Sequence, residues 1–347
     1  MAFFSNGSPS ISDFTFTTDQ TVGSNVLASS SESIGDTGYK QTNSALLTSE
    51  GIRANSMTFS TSTKLSILKL LQGSISGYSS GGTPPVSNTI DKFPFATDAN
   101  ATDVGDLTQA RRSLAGQSSD TSGYTSGGYN NTTIDKFPFV TDTNATDVGD
   151  LTQGRYSIAG QSSSISGYIS GGFAILYRDT IDKFPFSVDS NATDVGNLSV
   201  GRADMSGQSS RESGYTSGGS SPRTDIIDKF PFATDSNATD VGDLTQVRSV
   251  TAGQSSTVSG YTSGGFAPPV VNTIDKFPFA TDANATDVGD LTQARYSFTG
   301  QSSVVSGYAS GGYVVNTIDK FPFATDANAT DVGDLTQARF GQAGQQV

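Results

Sequence analysis

The chain has 347 residues, of which 34% are apolar, 15% are charged and 39 are glycine, and its net charge is −13. It contains neither cysteine nor histidine, which removes disulfides, thiolate nucleophiles, imidazole acid–base chemistry and His or Cys metal sites. An acidic protein repels phosphate backbones, so nucleic acid is excluded as an expected partner. No apolar run reaches membrane-spanning length, and Met1 to Asn6 lacks the basic and apolar regions of a signal peptide. We therefore expect a soluble protein made in a cytoplasm, without membrane insertion.

Residues 1–72 do not share the pattern that follows. They are rich in Ser and Thr, and the alternation in Phe14-Thr15-Phe16-Thr17 and Met57-Thr58-Phe59-Ser60 predicts strands. Leu65 to Leu71 is a short apolar segment, either a strand or a helical turn. This region reads as a small β module or an arm for attachment.

From Gly73 onward one sentence recurs six times with small variations: S-G-Y-x-S-G-G, a variable stretch, I-D-K-F-P-F-A-T-D-x-N-A-T-D-V-G-D-L-T-Q-x-R, then G-Q-S-S. Its isoleucine falls at Ile90, Ile134, Ile181, Ile227, Ile274 and Ile318, a period of 44 to 47 residues. Each Ile is 37 residues before the next Gly-Gly, whereas Gly-Gly to the following Ile takes 7, 9 or 10. All length variation therefore lies in one loop per repeat, as on a scaffold that presents a binding surface. The charge follows the repeat too, since the first copy sets Asp91, Asp98, Asp103 and Asp106 against Lys92 and Arg111.

Each repeat predicts four strands. The stretch Ser113 to Ser118 is small enough to line a crowded centre. Next come Ser-Gly-Tyr-Thr-Ser at 122–126, Ile-Asp-Lys-Phe-Pro-Phe ended by an Asp-x-Asn turn, and Thr-Asp-Val-Gly-Asp-Leu-Thr. Four strands at this period predict an all-β, six-bladed β-propeller over residues 73–347; a β-solenoid is the rival, but its coils use fewer strands. The repeats open mid-unit at Gly73 and stop mid-unit after Gly344-Gln345, so strands from both ends are expected to share one blade and close the ring. Pro94 donates nothing to a ladder, so we expect a bulge there or a nitrogen turned away from its neighbour strand.

The order Gly-Gly, loop, Ile-Asp-Lys-Phe, Asp-x-Asn-x-Thr, Leu-x-x-x-Arg resembles the kelch repeat over about four-fifths of the chain, with Gly127-Gly128, Asp135 or Asp142, and Arg155 at the matching positions. It departs in lacking the kelch Trp of the fourth strand, near Val148. The near-identity of the copies also resembles repeats in virion structural proteins of tailed bacteriophages, particularly marine ones. That resemblance implies a virion location.

The stretch Asp98 to Asp106 is similar to calcium loops of integrin-type propellers, although Asp103 replaces the expected glycine; an Asx-bonded turn explains the same residues. Arg111, Arg155, Arg202, Arg248, Arg295 and Arg339 recur once per repeat. They either ring a channel mouth and hold an anion, or pair with Asp and carbonyls to fix the packing of blades, the reading we favour. Asn-Ala-Thr matches a glycosylation sequon that a turn also explains. Pairs such as Asp103 and Asp106 recur in five of the six copies, with Asn197 in the second place of the third copy, unlike a catalytic site, which is single and asymmetric.

The variable loops carry the binding expectation. They hold Pro84 and Pro85; Tyr129 and Asn130; Phe173, Leu176, Tyr177 and Arg178; Pro222 and Arg223; Phe266, Pro268 and Val270; and Tyr313 and Val314. Aromatic and aliphatic residues beside proline make a contact surface with little entropy to lose. The expectation is a non-enzymatic virion protein of tail-fibre type, with no cofactor and no metal. Residues 1–72 would dock on other virion proteins within a homo-oligomeric assembly, and the loops would bind a host-surface glycan or protein. The alternative is a structural decoration or connector subunit.

Overall fold

The structure, a computed structural model, describes residues 72–347 and four short strands between residues 39 and 59. Tyr39–Gln41 pairs antiparallel with Met57–Phe59, and Leu46–Thr48 with Gly51–Arg53. The alternation at Met57 is thus a strand. Phe14 to Thr17, Leu65 to Leu71 and the remainder of the module expected over residues 1–72 lie outside the described residues. The chain divides into two units, Met1–Lys69 and Leu70–Val347.

The second unit is a propeller of six four-stranded antiparallel sheets, without a helix among the described residues. Blade 2 shows the plan: Ala115–Ser118 innermost, then Ser122–Ser126, Thr133–Pro138 and the outer strand Thr146–Asp150. Blades 3 to 6 begin at Ala159, Ser206, Ala252 and Thr299. Blade 1 takes Ala343–Gln346 as its innermost strand, hydrogen-bonded to Ser76–Ser80, with Thr89–Pro94 and Thr102–Asp106 outside. Both ends of the repeat region thus share a blade, as expected.

The core lies in the seams between blades. Tyr124 of blade 2 stacks on Phe186 of blade 3 with ring centroids 4.9 Å apart and tilts against Phe184 at 5.2 Å. The closing seam repeats this, Tyr308 of blade 6 stacking on Phe95 of blade 1 at 4.7 Å. Each such pair contributes roughly 0.5–1.5 kcal/mol beyond the burial of its area. Phe-Pro-Phe sends both rings into the seam. The bulge lies at Ile134/Asp135 rather than at proline. Pro138 pairs with Ser122 on the inner side, and on the other side the outer strand's last pair is Lys136 with Thr146. By strand alternation the proline nitrogen points past that last pair, so no ladder bond is lost.

Polar side chains lock the same seams. Arg248 Nη2 lies 2.9 Å from Asp275 Oδ2, and both side chains are fully buried. Asp275 also accepts the Thr245 backbone N–H at 2.9 Å and its hydroxyl at 2.7 Å. Burial lowers Arg248 below the usual guanidinium range, opposed by the Asp275 charge. All six recurring arginines pair in this way with a third-strand aspartate. They do not ring a channel mouth. Nearer the rim, Lys136 binds Asp189 of the next blade at 2.9 Å, and the series closes with Lys320 on Asp98 at 2.9 Å.

Around the axis, each innermost glutamine is held by two blades. Gln117 Nε2 donates to the Tyr168 carbonyl of blade 3 at 3.2 Å, while its Oε1 accepts the Ser126 hydroxyl at 2.8 Å. The preceding glycine permits this approach: a Cβ on Gly116 would run into the Gly344 carbonyl, and the same relation recurs at Gly160, Gly207, Gly253, Gly300 and Gly344. The strands enclose a polar cavity of about 70 Å³ lined by Ser118, Ser162, Ser209, Ser255 and Gln72 among others.

Candidate functional site

The antiparallel order gives the propeller two chemically distinct faces. Turns from innermost to second strand, and from third to outer strand, lie on the entry face. There Gln72 Nε2 donates to the Ser256 carbonyl at 3.1 Å and Gly73 N–H to the Ser302 carbonyl at 2.8 Å. The variable loops from second to third strand lie on the opposite face, beside the links that carry the chain from each outer strand into the next blade.

On this loop face the links close the channel. The second residue after each recurring arginine has φ between 54° and 67° at Ser113, Ser157, Asp204, Val250, Ser297 and Gly341. Each donates its N–H to the carbonyl of its counterpart on the preceding blade, from Ser157 to Ser113 at 3.0 Å round to Ser113 on Gly341 at 2.7 Å. Six backbone bonds therefore form a closed ring. Val250 is the costly member, because a β-branched residue in the left-handed region is strained. The five half-buried side chains of this ring, Gly341 having none, form a floor in which Asp204 is the acidic one and accepts the Ser220 hydroxyl at 2.8 Å.

Aromatic residues stand around the floor. The first residue after each arginine faces the first residue after a Gly-Gly pair, whose φ of 65° and 110° at Gly127 and Gly128 turns the chain back toward the link. Tyr156 pairs in this way with Phe173, and Thr83 with Phe340. Across blades 2 and 3, Tyr129 meets Tyr156 at 5.0 Å, Tyr156 meets Phe173 at 5.5 Å, and Phe173 meets Tyr177 at 4.9 Å. On the opposite side, blades 5, 6 and 1 join Phe266, Tyr296, Tyr313 and Phe340 through centroid distances of 6.2, 5.4 and 5.3 Å. The Tyr156 phenol is pushed above the usual range by burial, then by Tyr129 and Asp204, which places the floor acid within electrostatic reach of this cluster. Arg112 lies 5.7 Å from the Tyr129 ring centre and Arg223 4.8 Å from that of Phe266.

The sequence-derived loop residues are all on this face but do not form one patch. Phe173 and Tyr177 touch directly, while Tyr129 joins them through Tyr156, and Phe266 reaches Tyr313 through Tyr296. Pro84, Pro85, Pro222, Pro268, Asn130, Leu176 and Val314 are exposed without ring partners, whereas Arg178 and Val270 are half-buried. Sequence reasoning missed Arg112, Tyr156, Tyr296, Phe340 and Asp204. The signal was there: directly after the invariant arginine the copies read Arg-Ser, Tyr-Ser, Ala-Asp, Ser-Val, Tyr-Ser and Phe-Gly.

The Asp-x-Asn turns are latches between blades. Asp98 Oδ1 holds Lys320, Asn100 Oδ1 accepts the Asp334 N–H at 3.1 Å, and Asp103 Oδ1 accepts its own Gly105 N–H at 3.2 Å. These oxygens turn to separate partners, in the manner of an Asx turn. Among the described residues no group of three or more acidic side chains is arranged to hold a metal. No family model matches the chain, and no curated protein matches it.

Proposed function

We propose that this protein is a non-enzymatic binding subunit of a tailed-phage virion, kelch-like in its repeat, whose loop face engages a ligand on the host surface. Residues 1–72 would tie it to other virion proteins in a homo-oligomeric assembly. The observation that carries this reading is a polarity of the propeller. Loop-length variation and clustered aromatics belong to the loop face, while the chain enters at the opposite face. Binding proteins commonly place variable loops on a rigid frame, and exposed tyrosines supply contact area at low entropic cost. The test is immunogold labelling of purified particles, combined with competition of particle adsorption by the free protein. Label at the tip of tail appendages and blocked adsorption are the expected results; label absent from every particle overturns the reading.

A second reading, a decoration or connector subunit, draws on the entry face. There Ile75, Ile165, Val258 and Val305 hold equivalent turn positions at 62 to 70% exposure. Aliphatic residues exposed at four of the six equivalent turns, with Thr121 and Glu212 at the other two, would serve as protein contacts where a partner joins them into one patch. Label spread over shell or neck, with adsorption unaffected by free protein, favours this alternative.

A further inference from the structure

The cations of the propeller separate into two sets. The six recurring arginines and six recurring lysines all have carboxylate partners. Within residues 72–347, the basic side chains without such a partner in that segment are Arg112, Arg178, Arg211 and Arg223. Three of these four lie on the loop face, on the consecutive blades 2, 3 and 4, in a protein whose net charge is −13. Arg178 is the most exacting of them. It is half-buried, it has no carboxylate partner, and it lies close enough to buried Arg155 to push that guanidinium's pKa down; its buried Nε lacks a hydrogen-bond partner, as does that of five of the six paired arginines. Leaving a guanidinium partly desolvated beside another is costly unless an anion completes the site.

Aromatic rings flank these arginines on both sides of the floor; Asp179 and Asp225 share their loops, and Ser113, Ser157 and Asp204 supply hydroxyls and a carboxylate within the floor. Rings that present apolar faces beside hydroxyl, carboxylate and guanidinium groups match a pyranose. Its C–H face packs on an aromatic, its hydroxyls hydrogen-bond, and an acidic substituent meets arginine bidentately. We infer that the ligand of the loop face is an acidic oligosaccharide, its carboxylate or sulfate groups held by Arg112, Arg178 and Arg223 and its sugar rings by the flanking tyrosines. This rests on the loop face being the binding surface.

The experiment titrates the full chain, by calorimetry, with hexagalacturonate and a chondroitin sulfate hexasaccharide, against maltohexaose, chitohexaose and polyglutamate. Binding of an acidic hexasaccharide alone is expected. It should weaken on the order of tenfold in Arg178→Gln, and further as NaCl rises from roughly 50 to 300 mM. Tyr313→Ala, an exposed position whose fold is checked by circular dichroism, should weaken it too. Equal binding of neutral hexasaccharides, lost in Tyr313→Ala, overturns the acidic class while preserving the loop face. Polyglutamate binding as tightly overturns the saccharide in favour of an acidic peptide. Saccharide binding untouched by Arg178→Gln and Tyr313→Ala overturns this inference and the loop-face reading together. No binding to any probe, with adsorption still blocked by the free protein, overturns the saccharide alone.

Discussion

Asp275→Asn removes the charge from a carboxylate that binds Arg248 and caps the Thr245 turn, leaving a buried guanidinium uncompensated. The expected cost is about 3–5 kcal/mol, read as a lowered urea midpoint, and Arg248→Met with Asp275→Leu should recover part of it. Val250 makes the opposite case. Its φ of 59° costs a β-branched residue about 1–2 kcal/mol, so Val250→Asn should stabilise by about 1 kcal/mol. Titration adds a third expectation. Burial raises the Tyr124 phenol above its usual range, and the Asp189 carboxylate raises the Lys136 ammonium. Both groups are held protonated more strongly when folded, so their contribution is complete below the unfolded pKa and is lost as pH rises through the folded one. The urea midpoint should therefore hold from neutral pH to about 10 and fall above it; a midpoint unchanged at pH 11 would contradict this assignment.

Glycine has opposite meanings in neighbouring elements. Gly116→Ala in an innermost strand sets a Cβ against the Gly344 carbonyl and should cost at least ~2 kcal/mol. Gly154→Ala in a link meets atoms no closer than 3.4 Å, at a place where other copies carry Ala110, Ala294 and Ala338. It should be neutral or stabilise by about 0.5 kcal/mol, and paired thermal melts compare the two. The strands themselves were legible, because alternation and Gly-Gly stops mark them, and the small Ser113 to Ser118 stretch was rightly read as packing near a crowded centre. The hydrogen-bonded ring through Ser113 and Val250 was not legible. Serine and valine carry no signal for a left-handed backbone, and the geometry there is imposed by the link between blades. The aspartate turn was open to two readings for a related reason, since Asx capping and cation binding call on the same oxygens.

For the propeller as a whole, blade number and closure could be read from the period and from where the repeats break, because a ring needs its last unit completed by its first. The candidate site was half legible: loop residues betray themselves by changing length, whereas Tyr156 and Asp204 change identity inside a segment of constant length. Closure also makes a prediction. The Lys320–Asp98 contact that shuts the ring matches Lys276–Asp326 inside it, each at 2.9 Å, so Asp98→Ala and Asp326→Ala should lower the urea midpoint equally, each by no more than ~1 kcal/mol. Equal geometry does not mean equal timing. Glutamine contacts across internal seams span 51 to 54 residues, but those made by Gln301 and Gln345 span 223 and 221. The added loop entropy is only about 1 kcal/mol, yet contacts so distant in sequence form late. Folding should thus run from blade to blade as an open arc, with Ala343–Gln346 as its final step, and until that strand docks blade 1 is left one strand short beside the axis.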